Sequence, residues 1–181
     1  DTFVAKLIEA TKKLRVGAGL EGVTEQGPLI DEKAVAKVEE HIADAVSKGA
    51  KVALGGQRHA LGGTFFQPTI LTGAHEGLRI VDEEQFGPAL PVMTYRSVDE
   101  VLERANNTNF GLSGSVWGGD TERAAQVASQ LECGTIWVNT HLQLAPNQPF
   151  GGFKWSGVGT ENGIWGLEAF TEVQAVHRSK L

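Results

Sequence analysis

Short apolar runs and capped amphipathic segments take turns along this chain, and that order leaves few architectures open. Asp31 stands before a stripe of Val35, Val38, Ile42 and Val46, which predicts a helix N-cap; Ile30 and Val35 are spaced for a hydrophobic staple, and Gly49 supplies the stop. Ser97 with Glu100 three residues on is a capping box that opens a second helix through Val98, Val101, Leu102 and Ala105. Asp120 opens a third, with Ala124, Val127, Ala128 and Leu131 on one face, and residues 2–14 repeat apolar side chains at helical spacing. Between these lie strand-like runs at 51–56, 64–71, 79–84, 89–95, 113–119 and 135–139. Strands alternating with helices imply right-handed crossovers, so the expected fold is α/β, a mostly parallel sheet flanked by helices.

The length fits one domain: a chain of 181 residues buries roughly 70% of the surface that its unfolded form exposes. A net charge of -6 without clustered Lys and Arg argues against a nucleic-acid partner. The longest apolar runs fall far short of the ~20 residues that span a bilayer, which argues against a membrane role. One cysteine, Cys133, permits no internal disulfide and fits a reducing compartment, so a cytoplasmic location is expected. The opening DTFVAKLIEATKKL starts in mid-helix without an initiating Met, which points to a missing upstream portion.

The last 45 or so residues differ in texture. Residues 141–163 form a long loop rich in Gly, Pro and Asn, of a kind that is usually functional in compact domains. After a short helix near 163–170, residues 171–180 have strand character and no assignable sheet partner, a natural place for subunit pairing.

Several constellations invite chemistry and do not sustain it. The glycines of 151–163 miss the dinucleotide fingerprint, because Asn162 occupies the third glycine position, and miss the phosphate-loop pattern, because Val158 stands where Lys is required. Close backbone approach in a turn explains them better. The five histidines form no i, i+4 pair and have no cysteine partners, so no metal site is expected; His41 is placed on an exposed helix face. His141, at a strand end in the long loop, reads as solvated or locally hydrogen-bonded. Cys133, at a helix C-terminus beside Glu132, lacks the surroundings that make a thiolate. Glu83 and Glu84 before Phe86, Gly87 and Pro88 are, on composition alone, a solvated turn.

Four motifs change that reading. The strings 25-EQGPLID-31, 83-EEQFGP-88, 133-CGTIWVN-139 and 149-PFGGFKWSGVGTENG-163 with 166-GLEAFTEV-173 stand in the order and spacing of the aldehyde dehydrogenase superfamily, which the chain resembles over essentially its whole length. The resemblance implies that Glu84 accepts hydrogen bonds from the nicotinamide ribose of NAD or NADP and that Phe86 walls the nicotinamide. It implies that Leu144 and Phe150 line the aldehyde tunnel, and that Glu161 serves a proton relay as a catalytic residue. No metal is implied. It further implies a catalytic domain over residues 1–170, N-terminally incomplete, and an oligomerisation strand at 171–181 that would make homodimers or tetramers.

Members of the superfamily oxidise aldehydes through a cysteine thiohemiacetal, hydride transfer and thioester hydrolysis. By motif alignment the nucleophile and the nucleotide-binding strands belong upstream of Asp1, and Cys133 stands elsewhere, so the chain alone is expected to be inactive. The alternative is a free-standing, non-catalytic binding or assembly module. A third possibility is a semialdehyde or phosphorylated aldehyde as substrate; the absence of Arg and Lys between residues 141 and 153 favours an uncharged aldehyde.

Overall fold

The computed structural model describes residues 1–20 and 22–180. Glu21, inside the expected loop 17–29, and Leu181, the last residue of the expected oligomerisation strand, lie outside the described residues. The chain forms two compact units, Asp1–Thr94 and Tyr95–Leu181, and each contains a strand–helix–strand crossover of the kind the alternation predicts.

In the first unit, helix α1 (Thr2–Thr11) is followed by α2 (Glu32–Ser47), strands β1 (Lys51–Leu54) and β2 (Thr69–Thr72), the one-turn helix α3 (Arg79–Asp82) and strand β3 (Ala89–Val92). β2 pairs with β3 in parallel, Thr69 opposite Ala89 through Thr72 opposite Val92, while β1 lies antiparallel on the other side of β2. Asp31 caps α2 as expected, accepting from the Ala34 amide at 2.8 Å, and Gly49 follows its end at φ +102°, a conformation that glycine adopts without strain. Val35, Val38, Ile42 and Ala45 of α2 are buried against Phe66, Leu71, Leu78, Ile80 and Ala89.

Five expectations are corrected here. Residues 79–84 do not form a strand: Arg79 and Glu83 are paired at i, i+4, with Nε to Oε1 2.8 Å, and that pair together with a hydrogen bond from the Arg79 amide to the Asp44 carboxylate favours a helical turn over the β tendency of Ile80 and Val81. The strand at 64–71 shrinks to 69–72, because Pro68 lacks the amide that a ladder needs. Ile30 is 94% exposed, so there is no staple, and Ala45 rather than Val46 completes the buried stripe. His41 is fully buried, not exposed.

The second unit orders α4 (Val98–Asn106), β4 (Phe110–Gly111), β5 (Ser113–Val116), α5 (Thr121–Ala128), β6 (Thr135–Val138), β7 (Phe153–Lys154) and α6 (Gly163–Glu168). β5 and β6 run parallel through α5, and β4 pairs antiparallel with β7. Ser97 and Asp120 cap their helices, accepting from the Glu100 and Arg123 amides at 3.2 and 3.0 Å. Glu100 reaches back to the Arg96 amide rather than to Ser97, one residue short of a full capping box. Leu102, Ala124, Ala128 and Trp137 form the buried apolar set. Cys133 lies beyond α5, in the turn before β6, rather than at the helix end. Residues 171–180 are exposed and carry no regular structure.

Candidate functional site

In the first unit the residues from Glu83 to Pro88 alternate between anchor and display. Glu83 is an anchor: its carboxylate accepts from the Arg79 guanidinium at 2.8 and 3.1 Å and meets His41 Nε2 at 3.3 Å. Arg79 in turn holds the Glu83 carboxyl below its ordinary range. Gln85 is a second anchor, accepting from the Gly87 amide at 2.7 Å and donating to the Ala89 carbonyl at 3.0 Å. Gly87 is a third, because a Cβ there would lie 2.1 Å from Val38 Cγ2, so only glycine lets the loop touch α2. Pro88 closes the segment by accepting from the Thr69 amide at 2.8 Å.

The two residues between these anchors are exposed instead. Glu84 is exposed, and among the described residues its carboxylate has no hydrogen-bond partner; only its backbone carbonyl is held, by Lys37 Nζ at 2.5 Å. Phe86 is 90% exposed. An exposed aromatic side chain two residues from an unpartnered carboxylate, on a pinned backbone, offers an apolar wall and a two-oxygen acceptor within one short loop. That is the residue set a ribose diol and a flat heteroaromatic ring require, so the residues present fit a nicotinamide nucleotide.

In the second unit the long loop is held by backbone against backbone. Phe150 and Glu161 exchange both main-chain hydrogen bonds, at 2.8 and 2.7 Å. A Cβ on Gly134 would lie 1.7 Å from the Gly151 carbonyl oxygen, one on Gly152 2.6 Å from Ser156, and one on Gly166 2.8 Å from Glu161. The glycines thus serve close approach. Lys154, at φ +54°, reaches Glu132 at 2.7 Å and the Asn106 carbonyl at 2.6 Å, tying β7 to the end of α4. Trp155 meets Phe110 edge to face at 6.5 Å.

Of the expected substrate and catalytic residues, Phe150 and Glu161 are therefore brought together through their backbones, and Leu144 is exposed. The main chain beside Leu144 is fixed by the Trp137 indole, which donates to the Gln143 carbonyl at 2.8 Å. His141 is exposed and packs edge to face on Trp137, ring centroids 5.1 Å apart. Burial pushes the Cys133 thiol up, only partly opposed by Lys154, which is the reverse of what activates a nucleophile. Among the described residues no three His, Cys, Asp or Glu side chains are grouped to hold a metal ion, and no helix is long and apolar enough to cross a membrane.

Sequence reasoning missed His41, Lys37 and Val38 as supports of the 83–88 loop. A signal was available in the spacing, since Val38, His41, Ile42 and Ala45 lie on one face of α2.

The model of the aldehyde dehydrogenase family matches residues 1–176. Glutarate-semialdehyde dehydrogenase of Pseudomonas aeruginosa is 50% identical over 174 residues, covering 96% of this chain and 36% of that protein. The NADP+ succinate-semialdehyde dehydrogenase of Escherichia coli is 45% identical over 174 residues, with the same coverage of 96% and 36%. Among solved structures, betaine aldehyde dehydrogenase of Staphylococcus aureus in complex with NAD+ superposes with a TM-score of 0.88 at 37% identity, over 94% of this chain and 34% of that one. The chain belongs to the aldehyde dehydrogenase family. It spans about a third of the length of the curated relatives it matches.

Proposed function

We propose that this chain forms the C-terminal part of the catalytic domain of an NAD(P)-dependent aldehyde dehydrogenase, oxidising a small-molecule aldehyde to a carboxylate. The observation that carries the reading is the alternation in 83–88, where Glu83, Gln85 and Gly87 are tied down and Glu84 and Phe86 are offered outward. Bound NAD(P)+ would supply the hydride acceptor. The chain's own part is orientation: the Glu84 carboxylate accepts from the two ribose hydroxyls and Phe86 limits where the nicotinamide ring can lie. A pinned backbone matters because positional error at the reacting carbon costs rate.

In the same proposal Leu144 and Phe150 line the aldehyde tunnel, and Glu161 passes a proton. The mutual backbone bonds of Phe150 and Glu161 support this, since they hold the main chains of the two residues side by side. The names of the relatives span two semialdehydes and betaine aldehyde, so the aldehyde is assigned only as a class. The nucleophilic cysteine is assigned to sequence preceding this segment in the full-length enzyme, and the chain alone is assigned no turnover. The raised Cys133 thiol supports that division. Residues 171–181 are assigned to self-association as a homodimer or tetramer, which the exposed Val173 and Val176 support. The enzyme is assigned to the cytoplasm, which the unpaired thiol of Cys133 suits.

The test is steady-state kinetics on the full-length enzyme. Glu84→Gln, which loses the charge of the diol acceptor, is expected to lower kcat/KM for the dinucleotide roughly 10- to 100-fold. An unchanged value would remove Glu84 from the cofactor site.

A further inference from the structure

His41 is a buried group that the proposed chemistry does not use. It sits on α2 with none of its surface exposed, and its two ring nitrogens have unlike surroundings. Nε2 lies 3.3 Å from Glu83 Oε2, while the buried Nδ1 has no partner. A buried donor without an acceptor costs more than a lone pair left empty, and a carboxylate can only accept. The proton therefore belongs on Nε2, donated to Glu83, with Nδ1 bare.

What this imidazole touches gives it a role. Glu83 immediately precedes Glu84, and the same face of α2 meets the loop at two further points: Lys37 Nζ on the Glu84 carbonyl and Val38 against Gly87. Glu83 is also held by Arg79, whose other nitrogen reaches Glu40 of α2. Arg79 is on a one-turn helix with its side chain part exposed, whereas His41 is fixed in the core. Of the two partners of Glu83, the histidine is the one whose position the packed interior determines.

We propose that His41, as the Nε2–H imidazole, is a positioning residue for the dinucleotide: it anchors Glu83 to α2 and thereby sets where Glu84 and Phe86 stand, without itself touching the cofactor. The inference rests on the reading of Glu84 as the ribose acceptor. It makes α2 the cradle of the cofactor loop, with three supports at Lys37, Val38 and His41.

The experiment is NADH binding to the full-length enzyme without aldehyde, followed by nicotinamide fluorescence, so that the readout is affinity rather than turnover. Five proteins are compared with wild type: Glu84→Gln, His41→Leu, His41→Gln, His41→Asn, and the double variant His41→Leu with Glu84→Gln. The Gln amide can place an N–H near the position of Nε2, whereas Asn falls short of it. The expected result is a loss of roughly tenfold for Glu84→Gln, a loss of about 3- to 10-fold for His41→Leu and His41→Asn, and near wild-type binding for His41→Gln. The double variant loses less than the product of the two single losses, because His41 acts through the loop that carries Glu84 and Phe86.

Losses that multiply in the double variant, or a His41→Leu protein that binds like wild type, would overturn the proposal. If His41→Leu does not fold, the contrast between His41→Gln and His41→Asn decides instead, and equal affinities for those two would also overturn it. Unchanged binding in Glu84→Gln is a different failure: it sinks the ribose reading itself, whatever the histidine variants do.

Discussion

Replacing Gly134 by alanine places a methyl group where a carbonyl already stands. The new Cβ would lie 1.7 Å from the Gly151 oxygen and 2.7 Å from its carbon, against a closest real approach of about 3.0 Å. Both neighbours are backbone, so no side chain can rotate away, and the 149–163 segment must retreat by about 1.3 Å. That retreat would pull on the Phe150–Glu161 pair and on the β4–β7 ladder, where Phe110 faces Lys154. Overpacking a well-filled interior costs about 1–3 kcal/mol, and a backbone clash belongs at or above the top of that range. The control is Gly119→Ala, where nothing lies within 4 Å and φ is not positive; it should be neutral or stabilise by up to about 1 kcal/mol. Urea unfolding followed by tryptophan fluorescence measures both. A Gly134→Ala protein within about 0.5 kcal/mol of wild type, the ordinary spread of surface substitutions, would refute the view that these glycines exist for close approach.

Two further expectations concern α2. Asp31→Ala should lower stability by about 1 kcal/mol, since it removes the acceptor for the Ala34 amide at 2.8 Å; Asp31→Asn should retain most of it, and equal losses in the two would contradict the cap. The second is a pH dependence. Burial lowers the His41 pKa, opposed by the hydrogen bond to Glu83, with Arg79 and Lys37 also disfavouring a charged ring. The unfolded chain takes up this proton near the ordinary value of about 6.5 while the native protein does not. The contribution to stability is therefore whole above about pH 6.5 and is lost as pH falls from there through the folded-state pKa. Urea midpoints between pH 7 and pH 5.5 should fall more steeply in wild type than in His41→Gln, which cannot titrate; matching slopes would contradict the assignment.

How much of this was legible in the chain depends on how local the cause is. The caps at Asp31, Ser97 and Asp120 were readable because each bonds an amide three residues away. The β5–α5–β6 crossover followed from the same signals. Residues 79–84 misled because Ile80 and Val81 favour strands, while the deciding Arg79–Glu83 pair appears only once a helical turn exists. His41 misled because a histidine among charged residues looks solvated, and its partner Glu83 is 42 positions distant. The anchors at Gln85 and Gly87 were invisible for a related reason: the glycine is required by Val38, a contact that only tertiary packing creates. Glu84 and Phe86 came from motif resemblance, and what the structure adds is that their neighbours are tied down while their own side chains are exposed.

The central claim is that this chain holds the cofactor loop and part of the aldehyde pocket but not the nucleophile, and it is tested most directly by NADH formation. The chain alone, with intact mass checked, would be offered NAD+ and a panel of short aliphatic and aromatic aldehydes, with Cys133→Ala run in parallel. The account predicts no turnover in either protein. Turnover that disappears in Cys133→Ala would place the nucleophile at Cys133 and contradict it.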